Sequence, residues 1–152
     1  MKKLFLLPVL FLLVLSSCKD EDEPSPQALS EQIKGTWVSA IQEYKYYDEA
    51  GQVLFEETDE IVRVYTFDGS NVTSSFSTGG GSSDTYTLSE RNGKNYLITM
   101  HSGIKSEVEL VAISASAMTW SDRVEDTWYN DKDTRAAVSA DHLIVTSYFS
   151  KK

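Results

Sequence analysis

The stretch SEQIKGTW, residues 30–37, decides how the rest of the chain is interpreted. Ser30 is a residue type that caps the free amides at the start of a helix, and Gly35 is the type that most often ends one. Trp37 then opens a run of β-branched and aromatic residues, which favour strands. The sequence therefore predicts a short helical turn over residues 30–34 that leads directly into a β-strand.

Downstream of that strand, short apolar and aromatic segments alternate with turn residues. Asn92-Gly93, a strong hairpin signal, separates two of these segments. We predict strands over residues 37–47, 61–67, 72–76, 85–88, 96–101, 106–113, 118–121, 124–129 and 142–149. Short strands at regular intervals, with turns between them, predict an antiparallel barrel or sandwich.

The N-terminus has the layout of a secretory signal peptide. Lys2 and Lys3 precede a run of uncharged, mostly large apolar residues from Leu4 to Leu15, and two serines follow. A membrane-spanning helix needs about 20 apolar residues, so this run is too short to be one. We therefore assign residues 1–17 to a signal peptide that is removed.

Cys18 is the single cysteine of the chain, so it has no partner for an internal disulfide. Leu15-Ser16-Ser17-Cys18 resembles the bacterial lipobox, in which an aliphatic residue and two small residues precede an obligatory cysteine. The resemblance implies cleavage before Cys18 and lipid on its thiol and amino group. Two or more acyl chains hold a protein firmly on a membrane.

An acidic segment follows the lipidation site directly. Lys19, Asp20, Glu21, Asp22 and Glu23 form a charged block that is solvated and self-repelling. We assign residues 18–29 to a disordered, proline-containing tether. The block also resembles the surface-export signal of some Gram-negative lipoproteins, which implies an outer-membrane protein that faces the cell surface. The alternative is retention on the periplasmic face.

Charge and length limit the class of the mature domain. Residues 1–17 carry two lysines and no acidic residue, so their removal takes the net charge from −9 to −11. Such a surface repels nucleic acid and anionic lipid headgroups. Residues 30–152 have the length of one domain. The lipid on Cys18, rather than a basic patch, is expected to attach the protein to the membrane.

Four motifs across residues 30–152 resemble the lipocalin family and the lipocalin-like domains of bacterial lipoproteins. They are Gly35-Thr36-Trp37, Tyr65-Thr66-Phe67-Asp68-Gly69, Met118-Thr119-Trp120 and Tyr148-Phe149-Ser150-Lys151-Lys152. The resemblance implies an all-β, eight-stranded antiparallel up-and-down barrel with a short N-terminal helical turn. It also implies that Trp37 plugs one end. The arginine that lipocalins stack on this tryptophan is missing, and Lys151 is the residue that stands nearest to its place.

An eight-stranded barrel is just wide enough inside for packed side chains or one small ligand. Tyr65, Tyr86, Tyr96 and Trp128 are the candidates to line a ligand pocket, because aromatic rings with a polar edge suit such sites. Trp37, Phe67 and Trp120 are expected in the core instead.

No catalytic constellation occurs in the sequence, so we predict that the protein is not an enzyme. Two histidines, His101 and His142, are too few to indicate a metal centre, and we predict neither a metal nor a cofactor. Two functions stay open. The barrel binds a small apolar or amphipathic ligand, or it is filled and serves as a binding or scaffold module for an envelope protein or glycan.

Overall fold

The computed structural model describes residues 26–152 of the chain. The predicted signal peptide of residues 1–17, the predicted lipidation site Cys18 and the charged block of residues 19–23 lie outside the described residues. The described elements are, in chain order, α1 (Pro26–Ile33), β1 (Gly35–Tyr47), β2 (Val53–Asp59), β3 (Arg63–Phe67), β4 (Asn71–Phe76), β5 (Gly81–Arg91), β6 (Lys94–His101), β7 (Ile104–Ile113), β8 (Ala117–Asn130) and β9 (Ala137–Lys151).

The strands form one closed antiparallel barrel. Strand β1 pairs with β3, each of β3 to β8 pairs with the next strand along the chain, and β9 pairs back with β1. Eight strands complete this ring, and β2 is an extra strand that pairs with β1 beyond the end of β3. The predicted all-β, eight-stranded up-and-down barrel with a short N-terminal helix is therefore confirmed.

Two hairpin turns have the chemistry that tight antiparallel connections require. Asn92 and Gly93 connect β5 to β6 with φ angles of 54° and 73°. Ser102 and Gly103 connect β6 to β7 with φ angles of 49° and 84°. Two consecutive positive φ values match the right-handed twist of the flanking strands. The hairpin predicted at Asn92-Gly93 is therefore confirmed.

The main differences from the sequence-based expectation concern α1, β2 and β8, and several other strands, among them β5 and β9, are longer than predicted. Helix α1 begins at Pro26 rather than at residue 30, so it starts inside the segment assigned to the tether, and Ser30 lies within the helix instead of capping it. Strand β2 was not predicted at all. The two segments predicted over 118–121 and 124–129 are one strand, β8, paired with β9 along its length.

Trp37 lies at the end of the barrel next to α1, the plugged end. Its side chain is completely buried, and its indole N–H donates a hydrogen bond of 2.7 Å to the carbonyl of Ile33 in α1. The Lys151 ammonium lies 4.8 Å from the ring centroid and donates to the carbonyl of Gln32 at 2.9 Å. Lysine therefore occupies the place that the lipocalin resemblance gives to arginine.

The apolar core is divided into two clusters. The larger cluster fills the plugged end, where α1 packs against β5 and β7; its buried members are Leu29, Ile33, Trp37, Phe67, Val72, Tyr86, Leu97, Leu110, Met118, Trp120 and Phe149. The smaller cluster lies at the other end of β1 and β9 and contains Tyr46, Ala140 and Leu143. The remaining interior of the barrel lies between these two clusters.

Candidate functional site

A cavity of about 240 Å³ lies inside the barrel, above the larger core cluster, and is partly open to solvent. Because side chains alternate between the two faces of each strand, six of the eight barrel strands contribute inward-facing residues. Those residues are Gln42, Tyr65, Leu97, Thr99, Ser106, Val108, Trp120, Asp122, Val145 and Ser147. The lining combines an apolar floor with polar groups on its walls.

Aromatic rings form the floor of the cavity. Trp120 is only 8% exposed and meets Phe149 edge-on, with ring centroids 4.3 Å apart. Tyr65 packs edge-on against the same indole at 4.9 Å. Burial raises the pKa of the Tyr65 hydroxyl, which keeps it a neutral hydrogen-bonding group. The floor is thus a fixed aromatic surface that suits a flat apolar ligand.

A short hydrogen-bond chain forms one wall. The Gln42 amide N–H donates to the Ser147 hydroxyl at 2.6 Å, and the Tyr44 hydroxyl donates to the Gln42 carbonyl oxygen at 2.9 Å. Gln42 and Ser147 are cross-strand partners on β1 and β9, and both are buried. These bonds fix the orientation of the polar groups before any ligand arrives, which lowers the entropic cost of binding.

Asp122 adds a charged group to the adjacent strand, β8, which pairs with β9. Its side chain is half-buried, and its cross-strand neighbour on β9 is the apolar Val145. Over residues 26–152, no side chain forms a hydrogen bond or ion pair with this carboxylate. Burial raises the pKa of Asp122, and the backbone N–H of Arg123 partly opposes the shift. The cavity therefore contains a carboxylate without a side-chain partner.

Arg63, two residues before Tyr65 on β3, is already paired. The Arg63 guanidinium pairs with Asp59 at 2.5 Å and donates to the carbonyl of Ile61 at 2.9 Å. This contact holds the pKa of Asp59 below its ordinary value. Both side chains are largely buried, with 13% and 26% of their areas exposed. Arg63 thus neutralises Asp59 and is not available to Asp122.

The four predicted ligand residues lie in different places. Tyr65 lines the cavity. Tyr86 lies in the plugged end, edge-on to Phe67 at 5.2 Å, below the cavity. Tyr96 carries the Arg91 guanidinium 4.0 Å over its ring and precedes the inward-facing Leu97, so it lies on the outer face. Trp128 is 60% exposed near the end of β8. The structure brings one of the four to the cavity.

Sequence reasoning missed the polar groups that line the cavity. Asp122 follows Trp120 by two residues, so the two share the inner face of β8. That spacing was the available signal, because Trp120 was already expected in the core. Gln42 and Ser147 had no comparable signal, since a bulge in β1 between Val38 and Ile41 changes which residues face inward.

His142 belongs to a small polar group with Glu125 and Asp141, whose possible ligand atoms lie within 4.8 Å of one another. The His142 ring nitrogen lies 2.8 Å from Asp141. Arg123 donates two hydrogen bonds to Glu125, at 2.6 and 3.1 Å. The guanidinium of Arg123 therefore already pairs with one of these two carboxylates. His101, the other histidine, is exposed and pairs with Asp84 near the end of β6.

A second, larger depression of about 360 Å³ lies beside β1 and β2. Its lining is dominated by charged groups, among them Glu43, Lys45, Glu56, Glu57 and Lys132. Lys45 and Glu56 already form a loose ion pair at 3.9 Å. An apolar or amphipathic ligand finds little contact surface there, so the barrel interior is the better candidate site.

No described helix is long and apolar enough to cross a membrane.

Comparison with known proteins gives one match. No protein-family model and no curated protein matches the chain. Among solved structures, the chain is similar to a lipocalin-like protein from Bacteroides uniformis ATCC 8492, with 13% sequence identity and a TM-score of 0.41. The similarity covers 80% of this chain and 99% of that chain.

Proposed function

We propose that this protein is a non-catalytic, lipid-anchored envelope lipoprotein whose barrel binds a small amphipathic molecule. The observation that supports this role is the interior cavity, which has an aromatic floor and a fixed polar wall. Small-molecule sites typically combine a mainly apolar lining with a few placed polar groups.

The size of the cavity limits the ligand. An engineered apolar cavity of about 150 Å³ is large enough to bind benzene. The volume of about 240 Å³ therefore suits a molecule somewhat larger than one aromatic ring. Trp120 and Tyr65 would contact its apolar part, and the groups on the walls would meet its polar part. A long lipid chain would have to extend out of the barrel.

Native mass spectrometry of the protein, extracted gently from its own cells, tests this proposal. The expected result is a protein mass accompanied by one reproducible small-molecule adduct that is lost on unfolding. A barrel that is empty in repeated preparations would contradict a ligand-binding role.

The proposed lipid anchor rests on Cys18 and the residues before it. Metabolic labelling with palmitate should mark the wild-type protein and leave Cys18→Ala unlabelled. Equal labelling of the two proteins would refute the anchor.

The proposed display on the cell surface rests on the charged block of residues 19–23. A protease added to intact cells should digest the wild-type protein. Replacing the four acidic residues of the block by serine should protect it, because the protein would stay on the periplasmic face. Protection of the wild type in intact cells, with digestion after the outer membrane is permeabilised, would contradict surface display.

A second role is a non-catalytic binding module for an envelope protein or glycan. The exposed Trp128 favours this alternative, since a ring that is 60% exposed at the end of a long strand offers a stacking surface. In that case, Trp128→Ala should reduce crosslinking of the protein to other envelope components in intact cells. Unchanged crosslinking would argue against this role.

A further inference from the structure

Asp122 stands where the polar end of a ligand would lie. It shares the inner face of β8 with Trp120, and both line the cavity. Its neighbour on β9 is Val145, another lining residue. A carboxylate flanked by apolar groups loses part of its hydration, and this loss is costly unless an opposite charge or donors replace the water.

No basic side chain lines the cavity within the described part of the chain. The lining contains Asp122 and otherwise neutral groups. Arg63 is held by Asp59 at 2.5 Å, and Arg123, adjacent in sequence, is held by Glu125 at 2.6 Å. Arg63 and Arg123 are therefore both occupied. The interior keeps one negative charge that the protein itself does not balance.

We infer that the ligand is an amphipathic amine, whose ammonium group pairs with Asp122 and whose apolar body lies on Trp120 and Tyr65. This inference rests on the proposed ligand-binding function. An ammonium group donates charge-assisted hydrogen bonds to a carboxylate, which are roughly twice as strong as neutral ones. Aromatic faces next to the carboxylate also attract a cation.

The same charge acts against other ligand classes. A carboxylate or phosphate in this cavity would lie close to Asp122, and like charges in a shared, partly buried site repel one another. A fatty acid is therefore disfavoured, although the apolar floor would accept its chain. A neutral alcohol can donate one hydrogen bond to Asp122 but brings no opposite charge. Binding should thus rank amine first, alcohol second and acid last.

Three probes with one apolar body test this order: 1-naphthylmethylamine, 1-naphthylmethanol and 1-naphthoic acid. Each is titrated into the full-length protein by isothermal calorimetry. The amine should bind about tenfold more tightly than the alcohol, the advantage expected of a charge-assisted bond over a neutral one. The acid should bind more weakly than either.

Asp122→Asn keeps the size of the side chain and removes its charge. In this variant the preference for the amine should disappear while the alcohol binds as before. Asp133→Asn, an exposed position in the turn between β8 and β9, makes the same change in net charge and should keep the preference. Asp122→Ser serves as a second test if the asparagine variant unfolds.

The outcomes separate this inference from the function on which it rests. If the three probes bind the wild type equally, or if Asp122→Asn keeps the preference for the amine, the amine ligand is refuted and the ligand-binding barrel stands. If none of the three probes binds, both the amine ligand and the ligand-binding role are contradicted.

Discussion

At the scale of single residues, Trp37 links its own strand, β1, to the preceding helix α1 and to β9 at the far end of the chain. Its ring is completely buried, its N–H bonds to Ile33 in α1, and the Lys151 ammonium of β9 covers one face. A large buried ring whose N–H is hydrogen-bonded stabilises the fold in two ways. It buries a large apolar area, and its hydrogen bond fixes the orientation of the neighbouring elements. The stability of the plugged end of the barrel therefore depends strongly on Trp37, although this residue lies near the N-terminus of the domain.

Replacing Trp37 by alanine should lower the free energy of unfolding by about 3–5 kcal/mol, the usual cost of removing a large buried aromatic side chain. Urea denaturation followed by circular dichroism measures this loss. Trp128→Ala is the matched control, because the exposed ring should change stability by less than about 0.5 kcal/mol. Similar losses for the two variants would contradict the plug.

Asp122→Asn should raise the free energy of unfolding at neutral pH. Burial raises the pKa of Asp122 in the folded state, so the folded protein is favoured when this carboxyl is protonated. The stabilisation that comes from the raised pKa of Asp122 is complete below the pKa of the unfolded state, where the carboxyl is protonated. It is lost as the pH rises through the folded-state pKa and the carboxyl ionises. The gain from Asn should therefore shrink in acid, to near zero at about pH 3.

Asp68→Asn is the contrasting variant. Backbone N–H donors of Asn71 and Ser70 lower the pKa of Asp68, so its charge stabilises the folded state above the unfolded pKa. This variant should lose stability at neutral pH and lose none in acid. Urea denaturation of both variants between about pH 3 and neutral pH measures the two changes in the free energy of unfolding, which should have opposite signs. An Asp122→Asn protein less stable than wild type at neutral pH would show that the carboxylate has a partner in the folded protein.

The sequence predicted that Trp37 lies in the core but did not predict that Asp122 faces the cavity. The reason is physical. A large apolar ring near the start of a strand that directly follows a helix is normally buried in the core. An aspartate in a strand is normally solvated, so its inward orientation follows only from its alternation with Trp120. Polar groups that face a cavity break the rule on which strand prediction depends, and such breaks are expected at functional sites.

At the scale of elements, helix α1 is longer than its sequence signals indicate. Pro26 was assigned to a spacer, yet proline fits the first turn of a helix, where its missing N–H would be unpaired anyway. Leu29 and Ile33 are spaced to share one helix face, and both are buried against the barrel. Tertiary burial, rather than a cap at Ser30, therefore sets where the helix starts.

Leu29→Ala should cost about 2–5 kcal/mol of unfolding free energy, because it removes a buried side chain from the plugged end. Thermal unfolding followed by circular dichroism detects this as a large fall in Tm. Glu31→Ala, an exposed position on the same helix, should change stability by about 1 kcal/mol or less, since it breaks only a surface ion pair with Lys34. A mild effect of Leu29→Ala would mean that α1 is dispensable.

Strand β2 escaped prediction because its residues do not alternate. Val53 and Leu54 are adjacent, and both are more than 40% exposed. The strand is held by pairing with β1 and by Phe55, whose ring stacks on Tyr129 at 4.7 Å. That contact joins β2 to β8 across the inner side of the barrel's second end. Strands stabilised by distant contacts leave little local pattern in the sequence.

At the scale of the whole molecule, the barrel is filled at the plugged end and open in the middle. The larger cluster, including Trp37 and Phe67, fills the plugged end, and the aromatic cluster around Tyr46 lies at the other end. Strand alternation predicted an antiparallel barrel or sandwich, and the lipocalin resemblance predicted the closed barrel. The free volume inside it depends on how side chains from opposite strands meet. That volume, about 240 Å³, is a property of packing that the sequence does not reveal.

The most direct test of a ligand-binding interior fills the cavity and asks whether the ligand is lost. Val108→Trp places a large ring in the cavity lining, and Val111→Trp places the same ring at a position on β7 that is 56% exposed. Native mass spectrometry of the two variants and the wild type, prepared identically from cells, should find the small-molecule adduct on wild type and Val111→Trp and none on Val108→Trp. The same adduct on a folded Val108→Trp protein would contradict binding in the barrel.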